Sequence, residues 1–174
     1  VAGDITKKGD VTWSDGTATL ELETTQTQFT IEYRVNEGGW TDYTGPITGL
    51  NDGDTVTARL KYGSTTGDEV QFTIEDTKAP TVNVTAQSEP TTNSISVNVQ
   101  ASDNESGMAD NVTYTYYIKQ STELDSSYNS PSGATGIASN TYTFTGLTAG
   151  TSYDIKVEVN GDKAGHVGTG FLTG

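Results

Sequence analysis

The sequence predicts an all-β chain of two tandem Greek-key β-sandwiches, and three observations carry that prediction. Short runs repeatedly alternate apolar and polar residues at a period of two, as strands with one buried and one wet face do. Thr is the commonest residue and only 32% of the chain is hydrophobic, a composition that suits pleated, half-buried surfaces. The passage Thr48 to Val56 is echoed by Thr145 to Tyr153, about one hundred residues later, the size of a single sandwich.

In the first half, Val11 and Trp13 precede Asp15-Gly16, and Ala18, Leu20 and Leu22 alternate with Thr19, Glu21 and Glu23. Asp-Gly between alternating runs predicts a tight hairpin. Phe29, Ile31, Tyr33 and Val35 form the next strand, closed by Glu37-Gly38-Gly39, with Trp40 and Tyr43 on the return. Gly45-Pro46 marks a turn. A strand over Thr55 to Leu60, a loop over Gly63 to Gly67, and Val70, Phe72 and Ile74 complete this half.

Asp76-Thr77-Lys78-Ala79-Pro80 reads as a short, stiff joint, because Pro cannot donate to a ladder and holds its predecessor extended. The chain is therefore divided into domains 1–76 and 77–174. Strands restart with Val82 and Val84, then Ile95, Val97 and Val99, then Val112, Tyr114, Tyr116 and Ile118. Residues 120–140 are rich in Ser, Asn, Gly and Thr, a connection long enough to be either functional or mobile. Tyr142 and Phe144 resume the pattern, and Val167 to Leu172 supplies the last strand.

The most informative stretch is Thr145 to Gly165. Tyr153, Ile155, Val157 and Val159 alternate with Asp154, Lys156 and Glu158. Leu147, Gly150 and Tyr153 predict a tyrosine corner, in which the hydroxyl bonds back to nearby backbone. Asn160-Gly161 predicts a two-residue hairpin turn. In the first copy Val56 stands where Tyr153 does, so that corner is expected to be the weaker.

At 174 residues the chain suits one large domain or two of sandwich size. It holds 23 acidic and 9 basic residues, a net charge of −14. Nucleic acid is not an expected partner, since phosphate neutralisation needs clustered Lys and Arg. Membrane insertion is not expected either, for want of a sufficiently long apolar run. There is no Cys, which excludes disulfides and thiolate chemistry. The start, Val1-Ala2-Gly3-Asp4, reads as a mature product or an excised segment.

Two resemblances follow from these residues. Ala79-Pro80-Thr81, Ala101-Ser102-Asp103 through Ser106-Gly107, and Leu147 to Gly165 ending Asp162-Lys163-Ala164-Gly165-His166 resemble the fibronectin type III-like modules of bacterial extracellular proteins. Tyr33-Arg34-Val35-Asn36 with Trp40 to Pro46 is similar to the immunoglobulin-like repeat found at the C-termini of chitobiase-type enzymes. The resemblances imply immunoglobulin/fibronectin III-like sandwiches with spacer, scaffold or adhesion roles, an extracellular or cell-surface location and no catalytic residues.

Candidate chemistry is sparse. His166 is the only His, in or beside a turn, and reads as solvent-exposed rather than catalytic. Paired carboxylates for glycoside hydrolysis are not favoured, because most acids fall on outward strand positions. Asp76, Asp103, Glu105 and Asp162 are expected to gather at the joint between the domains, and calcium takes six to eight such oxygens. No other cofactor is expected. For a glycan ligand, Tyr33 and Trp40 read as core, Tyr117 as outward-facing, and Tyr128, in the long polar connection, as the leading candidate. Asn83-Val84-Thr85, Asn104-Glu105-Ser106 and Asn111-Val112-Thr113 match glycosylation sequons. The expected role is a non-catalytic spacer whose partners are flanking domains or neighbouring subunits. Glycan or protein adhesion, or a place in a surface filament or phage appendage, are the alternatives.

Overall fold

A computed structural model describes residues 4–174; Val1 to Gly3, on which the reading of a mature start falls, lie outside the described residues. The chain divides into two compact units, Val1–Thr77 with Asn104–Ser106, and Lys78–Asp103 with Gly107–Gly174. Sixteen strands and one short 3-10 turn, Asp125–Ser127, make up the regular structure among the described residues. No helix is long and apolar enough to cross a membrane.

The first unit contains β1 (Ile5–Lys7), β2 (Thr12–Ser14), β3 (Thr17–Leu20), β4 (Leu22–Thr24) and β5 (Thr30–Val35). It continues with β6 (Thr41–Asp42), β7 (Ile47–Leu50), β8 (Thr55–Tyr62), β9 (Thr65–Thr66) and β10 (Val70–Thr73). Antiparallel pairing builds β1-β4, β2-β3-β7 and β10-β8-β5-β6, with β9 also on β8. Asp15 and Gly16 both take positive φ between Ser14 and Thr17, so the Asp-Gly hairpin forms as the sequence predicts. The alternating run from Ala18 to Leu22 is not one strand. Ala18, Leu20 and Leu22 are all buried, but the chain changes partners at Glu21, from β2 and β7 to β1. The loop over Gly63 to Gly67 is also tighter than expected, because β8 and β9 pair as Tyr62↔Thr65 and Lys61↔Thr66.

The core of this unit comprises Leu20, Leu50, Val56, Ile74 and their buried neighbours, with Trp13, Tyr33 and Tyr43 packed against it. Trp40 is not among them. Its ring lies under the guanidinium of Arg59, 3.8 Å from the centroid, and near that of Arg34, 5.0 Å away. Arg34 and Arg59 occupy the outward phase of β5 and β8, so Trp40 belongs to the wet face. Glu32 completes that face: it is buried, and accepts from Arg59 at 2.6 Å and Lys61 at 3.0 Å. Burial would raise its carboxyl, but Lys61 and Arg59 together hold it below the usual range.

The second unit contains β11 (Thr81–Ala86), β12 (Ser94–Ser102), β13 (Met108–Gln120), β14 (Thr141–Thr145), β15 (Tyr153–Asp162) and β16 (Val167–Leu172). Two three-stranded antiparallel sheets form, β11-β12-β14 and β13-β15-β16. The chain crosses between them after β12, after β13 and after β14, as in Greek-key sandwiches. Val97, Val99, Tyr116, Phe144, Ile155, Val157 and Val159 fill the core. Gly168 and Gly170 bring β16 against β11: a Cβ on Gly170 would lie 2.7 to 2.9 Å from Val82 and Val84 atoms.

Two expectations change here. Asn160-Gly161 is not the hairpin turn. Both residues lie inside β15, and the turn falls at Lys163–His166 with Gly165 at φ +89. Gly161 instead faces a register break in β13 between Met108 and Thr113, where a Cβ would sit 2.8 Å from Val112 Cα. The signal for a Gly was genuine, but its cause is a bulge. The long connection is docked along β13. Tyr116 N–H donates to Ala134 O at 2.9 Å, and Tyr114 and Ile118 exchange backbone bonds with Ile137 and Asn129. Ala134 is fully buried.

Candidate functional site

The internal repeat sets the geometry at one end of each unit. Gly49 and Gly146 share φ +73, and Gly53 and Gly150 are both left-handed. At the second copy, Thr148 N–H donates to Tyr153 Oη at 3.0 Å, the predicted tyrosine corner. At the first, the equivalent N–H of Asn51 donates to Asp54 Oδ2 at 2.7 Å. Asp54 also accepts from Asn36 at 2.9 Å, and Asn36 followed by Asn51 lowers its pKa. One backbone donor is thus capped by a carboxylate in one unit and a phenol in the other.

A cluster of aromatic and charged side chains lies on the outer face of β13-β15-β16. Tyr116 is directed into the core, so Tyr117 and Lys119 emerge on the opposite face. Register places Tyr117 beside Lys156, and Lys156 beside Phe171, in one row across three strands. Lys156 Nζ lies 4.1 Å over the Tyr117 ring and donates to Glu158 at 2.9 Å. Tyr117 Oη donates to the other Glu158 oxygen at 2.9 Å. Tyr128 enters from the docked connection, 5.6 Å from Lys156 Nζ and 6.4 Å from the Phe171 ring. Phe171 is 57% exposed. The two tyrosines singled out in the sequence therefore share one patch, joined by Lys156 and Phe171, which sequence reading missed. The strand alternation would have revealed Phe171, given the register.

Beside this row Lys119 is 6% exposed, and donates to Asp154 at 2.8 Å and Glu123 O at 3.1 Å. Its pKa is raised chiefly by Asp154. That of Asp154 is lowered chiefly by Lys119, then by the Ser121 hydroxyl, which donates at 2.7 Å. Lys156 is the main cause holding Glu158 down. Burial raises Tyr128, and burial followed by Glu158 raises Tyr117. Each of these groups is moved away from neutrality, the opposite of what proton-transfer chemistry needs. The face is built to hold charges and present rings.

Of the calcium candidates, Asp76 and Glu105 belong to the first unit, Asp103 and Asp162 to the second. Asp76 Oδ2 accepts the Ser106 N–H at 3.0 Å and Glu105 Oε2 the Thr77 N–H at 2.9 Å. Asp103 caps Gly107 N–H at 2.9 Å. Asp162 is buried and accepts the His166 N–H at 2.6 Å, with His166 Nδ1 3.0 Å from its other oxygen. His166 is thus a partly exposed turn residue tied to Asp162, not a freely solvated one.

Residues 78–168 match the family model described as the fibronectin type III domain. No curated protein gives a match. Among solved structures, the chain is similar to a two fibronectin type-III domain segment from chicken tenascin, at TM-score 0.54 and 16% identity, over 97% of this chain and 99% of that one. At that identity the likeness is one of fold. The chicken CNTN1 FN1-FN3 domains give TM-score 0.36 at 16% identity, over 95% of this chain and 66% of that one. With its β11-β12-β14 and β13-β15-β16 sheets and its tyrosine corner, this chain belongs to the fibronectin type III family through residues 78–168.

Proposed function

We propose that the chain is a non-catalytic spacer of a bacterial-type surface or secreted protein, with the chain divided near residue 76 and flanking domains or neighbouring subunits as its partners. The observation that carries this reading is the state of the ionisable groups on the sheet faces. Glu32 is paired with Arg59 and Lys61, Asp154 with Lys119 and Glu158 with Lys156. These pairings hold the three carboxyls below their usual range, which stabilises the sheets and leaves none of the three poised to transfer a proton near neutrality. The source and the surface location rest on the resemblances. The test is light scattering of the full chain. A monomer of about 18.4 kDa agrees with a spacer, and concentration-dependent fibres would overturn it in favour of a filament subunit.

A second reading, adhesion, is favoured by the row of Tyr117, Lys156, Tyr128 and Phe171. It predicts that Tyr128→Ala abolishes binding of any glycan or protein whose NMR shifts fall at the Tyr117, Tyr128 and Phe171 amides. Calcium at Asp76, Asp103, Glu105 and Asp162 is proposed from their carboxylates alone; a melting midpoint identical in calcium and in chelator would remove it.

A further inference from the structure

We propose that a groove on the first unit binds one ring of a neutral oligosaccharide, a site distinct from the Tyr117–Tyr128 face and independent of the spacer reading. The groove has a volume of about 230 Å³ and is lined by Asp4, Gln26, Phe29, Tyr62, Thr65 and Thr66 among others. Tyr62 is 67% exposed, yet it is not a loose surface residue. It ends β8 directly opposite Thr65 in the β8–β9 hairpin, and Phe29 meets it in a T-shaped contact, ring centroids 5.9 Å apart. Phe29 is fixed in turn by its N–H donating to Gln26 O at 3.0 Å.

Apart from Asp4, the polar side chains lining the groove are uncharged. Gln28 donates to Gln26 Oε1 at 3.1 Å, which engages the acceptor end of the Gln26 amide and leaves its Nε2 hydrogens as donors. Among the described residues no hydrogen bond occupies that Nε2 or the Thr65 and Thr66 hydroxyls. A flat ring with uncharged donors and acceptors beside it suits a ligand having one apolar C–H face and a rim of hydroxyls, which is a pyranose. Asp4 at the groove and the net charge of −14 disfavour an acidic sugar by repulsion. The volume admits one ring rather than a drug-sized ligand, so recognition would be of a single residue within a chain.

The test is a ¹⁵N NMR titration of the full chain with cellohexaose, chitohexaose and mannohexaose, with hexagalacturonate as the acidic comparison. Shifts at the Gln26, Phe29, Thr65, Thr66 and Gly67 amides with at least one neutral hexaose, and not with hexagalacturonate, are expected. Tyr62→Ala should weaken that binding about tenfold or more, while Tyr128→Ala leaves it unchanged. Gln26→Ala, farther from the hairpin, should weaken it as well without altering the rest of the spectrum. The proposal is overturned if no neutral hexaose shifts these amides, if Tyr62→Ala binds as tightly as wild type, or if the shifts fall at Tyr117 and Tyr128. That last outcome would support adhesion at the other face, so the two readings fail separately.

Discussion

At the residue scale, the two corners show how different side chains meet one backbone requirement. Thr148 N–H is taken by the Tyr153 hydroxyl and Asn51 N–H by the Asp54 carboxylate. Tyr153→Phe should cost about 1 kcal/mol, the usual net worth of one such bond, read by urea denaturation with far-UV circular dichroism. Asp54→Ala loses acceptors for both Asn51 and Asn36 and should cost about 1–2 kcal/mol. Both Trp residues lie in the first unit, so their fluorescence reports that loss directly. Because the folded pKa of Asp54 is depressed, its contribution is present above the unfolded carboxyl value of about 3.9. It disappears as pH falls through the lower folded value, so wild type and Asp54→Ala should converge in acid. The tyrosine corner was legible because Leu147, Gly150 and Tyr153 have no other common meaning in a sandwich. Asp54 was not, because an Asp beside a Gly turn does not say which N–H it reaches. Trp40 was misread for a related reason: its apolar area suggested core, while the arginines that cover it lie on other strands.

At the scale of elements, the second unit is decided by glycines and by an irregular edge. Gly170 lets β16 approach β11, and Gly170→Ala would drive a methyl against Val82 and Val84. The expected cost is about 1–3 kcal/mol of overpacking, read as a lowered melting midpoint; an unchanged midpoint would mean that the strands separate freely. The outer face of β13-β15-β16 sets a pH window. Asp154 and Glu158, with depressed values, contribute above about pH 4 and are lost on acidification. Lys119, with a raised value, contributes fully below its unfolded pKa of about 10.4 and is lost as pH climbs through the folded one. Midpoints should therefore form a plateau through neutrality and fall at both ends. The β13 and β15 runs were plain from alternation. The edge pairing over residues 129–137 was not, because it is made of isolated backbone bonds anchored by one buried Ala134, and neither leaves a periodic trace. The bulge at Gly161 was hidden likewise, since a Gly after Asn reads as a turn until the partner strand is known.

At the scale of the whole molecule, the net charge of −14 favours solubility and works against non-specific association with phosphates or anionic lipid. The family is shown for residues 78–168, and sandwich architecture alone does not assign a role. The role proposed is mechanical: two sandwich units that keep their folds while other parts of a larger assembly are held apart. Stretching the full chain between its termini by single-molecule force spectroscopy tests that claim most directly. Two discrete unfolding events are expected, each releasing on the order of 70–100 residues at roughly 3.3–3.6 Å apiece. A smooth lengthening without steps would contradict it.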